Sequence, residues 1–420
     1  MKKWFSSYPP SVAHEIDVGR YRSINDVVEE SIGKYADLVA FDNMGATLTY
    51  RELERQTERF AAYLTREAGF KKGDRIAIQM PNLLQYPIVL FGALRAGLIV
   101  VNTNPLYTPR EMRHQFRDSG AQAIVILENF ADKLEEVIKD TEIRHVILTE
   151  VGDLFPSPKR QIVNFVLRRI KKMVPAHALR HTRLRDALEL GAKHQFERPS
   201  VGLDDIAFLQ YTGGTTGVSK GAILTHRNVV ANLEQISQWL KPMLRERQEV
   251  LITALPLYHI FSLTVNCLGL FKIGIRNILI TNPKDIPGFI KELKRTKPSV
   301  ITAVNTLMSA LMNHADFKKL DFSNLKVTVA GAMALKTPVA KAWREMTGSP
   351  ALEGYGLTEA SPVVCCNPLA DNAQVGTIGL PIPSTDLKVI DDDGNDVGIG
   401  KEGELCVKGP QVMQGYYQNP

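Results

Sequence analysis

Tyr211-Thr212-Gly213-Gly214-Thr215-Thr216-Gly217-Val218-Ser219-Lys220-Gly221 follows the apolar run Ile206-Ala207-Phe208-Leu209 and precedes His226–Leu240. In that last stretch Val229, Val230, Leu233, Ile236 and Leu240 recur at helical spacing. The order is therefore buried strand, glycine-rich loop, helix. Glycines let backbone N–H groups approach a polyanion, the three Thr hydroxyls add donors, and Lys220 supplies a positive charge. The Walker pattern requires a Lys directly after its second Gly, where Val218 stands here, so a different phosphate-binding loop is expected.

Outward from this loop the same alternation repeats. On the N-terminal side Arg75–Gln79, Ala123–Leu127 and His145–Thr149 read as strands, and the last two are almost continuous apolar runs, typical of parallel strands covered on both faces. Thr49-Tyr50-Arg51-Glu52 and Thr108-Pro109-Arg110-Glu111 are capping boxes that open helices. On the C-terminal side strands are expected at 206–210, 249–254, 276–280, 299–304, 326–330 and 350–353. Helices fit between them at 226–240, 263–271, 286–296, 306–314 and 338–347. Two βα-alternating blocks imply an α/β protein with two doubly wound subdomains packed together, at 1–195 and 196–375. From Gly376 to residue 420 short strands split by tight turns replace the alternation, and these form a third, smaller subdomain.

Composition narrows the classes. The chain has 420 residues, 44% of them hydrophobic and 23% charged, as in an ordinary globular protein. Its four cysteines, Cys267, Cys365, Cys366 and Cys406, show no metal-ligand spacing, and the vicinal pair is a poor disulfide framework, which fits a reducing cytoplasm. No run reaches the ~18 apolar residues of a membrane span. The net charge of +6 is unevenly placed: from Asp153 to Asp186 basic residues are not interrupted by acidic ones. A helix at about 159–174 would carry Ile162, Val163, Val166, Leu167, Ile170, Met173 and Val174 on one side and Arg168, Arg169, Lys171 and Lys172 on the other. Such a helix either docks on its own subdomain or lies in an anionic membrane interface, here the inner membrane. Nucleic acid is a poor fit, because aromatic residues are scarce in the segment.

Two later stretches, Gly331-Ala332-Met333 and Glu353-Gly354-Tyr355-Gly356-Leu357-Thr358-Glu359, sit at the ends of expected strands. Together with Tyr211–Gly221 they resemble the core motifs of the adenylate-forming (AMP-binding) superfamily, and within it the bacterial long-chain fatty acyl-CoA synthetase branch. The resemblance runs from about Ser23 to the last residue. It implies ATP-dependent conversion of a long-chain fatty acid to an acyl-adenylate and then to acyl-CoA, with ATP and Mg²⁺ as cofactors and CoA as co-substrate. Alternatives are an acyl-AMP ligase serving another acid or a carrier protein, and a non-catalytic acyl or nucleotide sensor.

By the same resemblance Tyr211, Thr212, Gly213, Gly214, Thr215, Thr216, Gly217 and Lys220 hold the ATP phosphates. Glu359 ligates Mg²⁺, Thr358 contacts the α-phosphate, and Tyr355 stacks on adenine between Gly354 and Gly356, with Gly331 and Ala332 as its backbone wall. His259, in Leu255-Pro256-Leu257-Tyr258-His259-Ile260-Phe261, borders the acid's carboxylate. Thr358, Glu359, His259 and Lys220 are thus the catalytic candidates. Phe261 and the apolar residues after it are candidates for an acyl channel, and Leu263 stands where some long-chain relatives carry a gating Trp. Ser219 replaces the usual proline of the loop and leaves φ unrestricted there. The last subdomain is expected to be a truncated small β-barrel. The ribose-binding Asp motif, hinge and mobile C-terminal domain of the family would follow residue 420, so the chain reads as a large N-terminal fragment. Whether it forms a homodimer is left open.

Overall fold

The computed structural model of the chain describes residues 2–212, 218–368 and 373–419. Among these residues two large sheets form, and both grow from the apolar runs identified above. The first has seven strands in the spatial order Thr182–Arg183, His145–Thr149, Ala123–Leu127, Arg75–Gln79, Ile99–Asn102, Ile206–Tyr211 and Gly221–Thr225. Its strands are parallel except for the last pair, which is antiparallel across the glycine-rich loop. The second has nine strands, in the order Leu380–Pro381, Val363–Cys366, Ala351–Gly356, Val327–Ala330, Val300–Ala303, Val250–Thr253, Arg276–Leu279, Val39–Asn43 and Ala46–Thr49. Every residue of Ala123–Leu127, Val300–Ala303 and Val327–Ala330 is buried, as expected for parallel strands covered on both faces.

Local signals set the helix boundaries. Thr49 and Thr108 accept from the backbone N–H of Glu52 and Glu111, and both Glu side chains answer, so both capping boxes are complete. The helices His226–Leu240 and Ile286–Thr296 occupy the expected residues. The helix expected at 263–271 is instead a wider π-helical segment, Ser262–Gly269. Its Asn266 amide donates to the hydroxyls of Thr253 (2.9 Å) and Thr302 (2.7 Å) on two strands beneath it. Those buried polar contacts set its placement, and hydrophobic periodicity does not register them.

Sheet membership does not follow chain order. A division at residue 195 would put Val39–Thr49 with the first sheet and Ile206–Thr225 with the second, yet each pairs in the other one. Val39–Asn43 runs parallel to Arg276–Leu279. Its fully buried Asp42 carboxylate is clasped by Arg295 at 2.9 Å and by Arg276 at 2.5 Å. Ile206–Tyr211 runs parallel to Ile99–Asn102. An apolar run identifies a strand but not its neighbours, because pairing is a non-local choice. After the nine-stranded sheet, Asp386–Ile390 and Glu404–Lys408 pair as a two-stranded antiparallel ribbon. The chain then turns back, and Gly415 and Tyr417 bond to Ile223 and Gly221 at the edge of the first sheet.

The basic segment is helical over Lys159–Phe165 and continues as a π-helical turn over Val166–Ile170. That turn breaks the 100° periodicity, so the expected faces are not kept. Arg168 points inward and bonds Glu128 at 2.6 Å and Glu150 at 2.7 Å. Ile162, Phe165, Ile170 and Met173 face solvent, each more than half exposed (58, 59, 65 and 53%).

A seam of side-chain amides joins the two halves. The Asn82 amide donates to the carbonyls of Thr253 (3.1 Å) and Leu255 (3.0 Å), and its oxygen accepts from Leu257 N–H at 2.8 Å. The Tyr86 hydroxyl donates to the Leu257 carbonyl at 2.9 Å, and the Gln210 amide to the Tyr258 carbonyl at 2.8 Å. Asn82→Ala should leave the buried Leu257 N–H without a partner, while the Thr253 and Leu255 carbonyls keep Ile280 N–H and the Ser262 hydroxyl, and cost about 1–3 kcal/mol. Denaturant unfolding of the variant measures this, and an unchanged midpoint would contradict the assigned role.

Candidate functional site

The neck of the glycine-rich loop is closed by its own backbone. Thr212 N–H donates to the Lys220 carbonyl at 3.1 Å, and the Ser219 hydroxyl donates to the Thr212 carbonyl. His114, from the helix Pro109–Ser119, adds a 2.8 Å contact from Nε2 to the Ser219 carbonyl. Ser219 therefore ties the neck, where the absence of proline suggested added freedom. Gly213, Gly214, Thr215, Thr216 and Gly217 lie outside the described residues. Tyr211 is buried in the first sheet and its hydroxyl bonds Asp118. Burial, and then that carboxylate, raise its pKa. Its ring packs against Gly221, where an added Cβ would lie 3.1 Å from ring carbons, so Tyr211 braces the loop from behind.

The strand Ala351–Gly356 of the second sheet carries Tyr355 to its end and hands over to the turn Thr358–Ala360. Gly356 is required here: a Cβ would lie 2.1 Å from the Pro362 carbonyl oxygen. Gly331 is similarly hemmed in, by the Phe261 ring at 3.1 Å and the Gly354 carbonyl at 3.3 Å. Ala332 has a positive φ of 65°, which turns the backbone sharply after the strand Val327–Ala330. Backbone thus packs closely on backbone where Gly331 meets Gly354 and where Gly356 meets Pro362.

Tyr416 joins the phosphate loop to Glu359, and sequence reasoning did not single it out. Its hydroxyl donates to Glu359 Oε1 at 2.6 Å, and the Lys220 ammonium lies 5.2 Å from its ring centre. The hydrogen bond to Glu359, reinforced by burial, pushes its pKa up to about 12, so the phenol stays a donor at neutral pH. Met413 N–H also donates to the Glu359 carbonyl at 2.7 Å. The available signal was the aromatic pair Tyr416-Tyr417 after Gly415 in a polar stretch, which says nothing of its partners.

One cavity connects these motifs to an apolar interior. Gly331, Ala332, Gly354, Tyr355, Gly356, Thr358 and His259 line it together with the apolar side chains of Ile236, Trp239, Leu240, Val265, Cys366 and Ile382. Phe261 lines it as well; Leu263 does not, being wholly buried in the core between the sheets. The His259 ring is reached from the cavity, and desolvation by the protein around it lowers its pKa from 6.5. It is therefore a neutral imidazole at pH 7, able to hydrogen-bond a carboxylate but not to pair with it as a cation.

The structure thus gathers His259, Phe261, Gly331, Ala332, Gly354, Tyr355, Gly356 and Thr358 at one cavity, and links Lys220 to Glu359 through Tyr416. The residues suit a nucleotide and a metal ion. Backbone walls stripped of side chains admit a flat base beside Tyr355. Glu359 is a single carboxylate linked through Tyr416 to Lys220, a set that suits Mg²⁺, which takes one or two carboxylates and fills its remaining positions with waters and phosphate oxygens.

The family model of AMP-binding enzymes matches residues 28–417. The long-chain-fatty-acid–CoA ligase of Escherichia coli O6:H1 is 54% identical over 422 aligned residues, covering 100% of this chain and 75% of that protein. Its namesake in Haemophilus influenzae is 51% identical with the same coverage. The crystal structure of a long-chain-fatty-acid-CoA ligase from Archaeoglobus fulgidus superposes with a TM-score of 0.82 at 22% identity, covering 98% of this chain and 79% of that one, a likeness of fold. The chain therefore belongs to the family of AMP-binding enzymes.

Proposed function

We propose that this chain activates a long-chain fatty acid with ATP for transfer to CoA. In the first step a carboxylate oxygen bonds to the α-phosphorus of ATP as the bond to the β-phosphate oxygen breaks, giving acyl-adenylate and pyrophosphate. In the second the CoA sulfur bonds to the acyl carbon, the bond to the AMP oxygen breaks, and the thiol proton is lost. Both steps bring anions together, so positioning and charge neutralisation supply most of the catalysis. The carrying observation is one cavity lined both by Tyr355, Thr358 and His259 and by the apolar Ile236, Trp239, Leu240 and Val265. The close relatives named for the same reaction support the reading.

Within it, Thr212–Lys220 holds the outer phosphates and Thr358 contacts the α-phosphate. Tyr355 covers the adenine against the backbone of Gly331 and Ala332. Glu359 would hold Mg²⁺, whose bound charge offsets that of the phosphates. Tyr416 keeps the Glu359 carboxylate aimed at the loop side through its 2.6 Å bond. Neutral His259 orients the acid's carboxylate at the cavity mouth. Isotope exchange between pyrophosphate and ATP in the presence of long-chain fatty acids tests the first step. Exchange is expected, and Glu359→Ala should slow it about a hundredfold; no exchange with any fatty acid would contradict the proposal.

Among the described residues no helix is long and apolar enough to cross a membrane. We propose instead a peripheral contact through Lys159–Met173. Ile162, Phe165, Ile170 and Met173 offer exposed apolar surface beside exposed Arg169, Lys171 and Lys172. Each basic residue near an anionic bilayer contributes about 1 kcal/mol. Replacing Arg169, Lys171 and Lys172 by Gln should therefore weaken co-sedimentation with anionic vesicles about a hundredfold. Equal co-sedimentation of variant and parent would remove this contact.

A further inference from the structure

One wall of the cavity comes from a helix outside the family's motifs. Trp239, next to last in the helix His226–Leu240, is 3% exposed and lines the cavity beside Cys366 and Ile382. Its indole N–H donates to the Asn367 carbonyl at 3.3 Å, which sets the orientation of the ring. Behind it stands Tyr8, edge-to-face at 5.2 Å between centroids and 86° between planes. The Tyr8 hydroxyl bonds the Pro381 carbonyl.

Tyr8 is itself held. Phe5 stacks on His14 at 4.0 Å, and Phe5 and His14 each meet Tyr8 edge-on at 5.5 Å. Ser384 N–H donates to the His14 carbonyl at 3.0 Å, and Ile16 N–H to the Ser384 hydroxyl at 3.0 Å. Lys2 pairs with Asp386. Tyr8, Val12, Trp239, Cys366 and Ile382 form one apolar cluster, with Trp4 and Phe5 packed against it. The first residues of the chain are therefore stitched to the 380–386 segment, and they back the indole on the side away from the cavity.

An acid seated with its carboxylate at His259 would run its tail along Phe261, Val265 and Leu240 towards this ring. Each methylene buried on the way tightens binding about fourfold. A tail that reaches the indole has no further space. A longer one must break the Asn367 bond and push the ring off Tyr8, and overpacking of that kind is unfavourable.

We propose that Trp239, backed by Tyr8 of the N-terminal segment, is the stop that sets the longest acyl chain the site accepts. The inference rests on the fatty-acid reading above. It makes Trp239 and Tyr8 specificity-determining residues, and it makes the N-terminal segment part of the acyl site. Trp239→Leu opens the cavity into the cluster around Tyr8, and Tyr8→Ala lets the indole give way.

Displacement of a fluorescent fatty acid by saturated acids from decanoate to eicosanoate gives a chain-length profile for parent, Trp239→Leu and Tyr8→Ala. In Trp239→Leu, acids longer than the parent's optimum should gain about tenfold relative to that optimum. Tyr8→Ala should shift the profile the same way by less. Trp239→Phe, which loses the indole N–H and part of the ring, carries the test should the Leu variant not fold. An unchanged profile in folded variants would overturn this inference alone. Absence of binding by every acid to the parent would overturn the fatty-acid reading and this inference with it.

Discussion

The site depends on the hydrogen bonds that fasten the 253–258 loop of one sheet to side chains of the other. That loop leaves the buried strand Val250–Thr253 and must satisfy its backbone groups away from water. Asn82, Tyr86 and Gln210 do this from the first sheet's side. Tyr86 is wholly buried, and its single O–H lies between the Leu257 carbonyl and Asn102 Oδ1, while the Asn102 amide donates to Gln210, so these side chains hold one another in place. The position of His259 is consequently a property of both sheets. The exchanged strands have the same effect, since Val39–Thr49 and Ile206–Thr225 each commit one region of the chain to the opposite sheet.

A second fastening converges on the same place. The chain returns at Gly415–Tyr417 to the edge strand that follows the phosphate loop, and there Tyr416 meets Glu359 and Lys220. On the proposed function, a carboxylate near bound phosphates would be repelled when a triphosphate arrives. The phenol bond holds it, and on the proposed function a divalent cation held by Glu359 would offset that repulsion. The lowered pKa of His259 fits the proposed function, in which it would orient an incoming carboxylate by a hydrogen bond rather than by a positive charge.

Much of the fold was legible because it is written locally. Thr49 and Thr108 with their Glu partners, and the helices His226–Leu240 and Ile286–Thr296, depend on neighbouring residues. The cavity-lining motifs were legible as a set, since glycines at 331 and 356 exclude side chains wherever the backbone packs closely. What escaped depends on tertiary contacts. Arg168 turned inward because Glu128 and Glu150 wait there and a π-helical turn rotates it towards them. Leu263 went to the core because the segment carrying it is anchored by Asn266. Ser219, Tyr416 and the Tyr8–Trp239 contact likewise take their roles from partners far away along the chain.

The most direct measurement is a crystal structure of the protein with a non-hydrolysable long-chain acyl-adenylate analogue. Adenine should lie against Tyr355, the phosphate group between Thr358 and the Thr212–Lys220 loop, and the acyl tail should run past His259 towards Trp239. An analogue bound with its tail outside this cavity, or its base away from Tyr355, would contradict it.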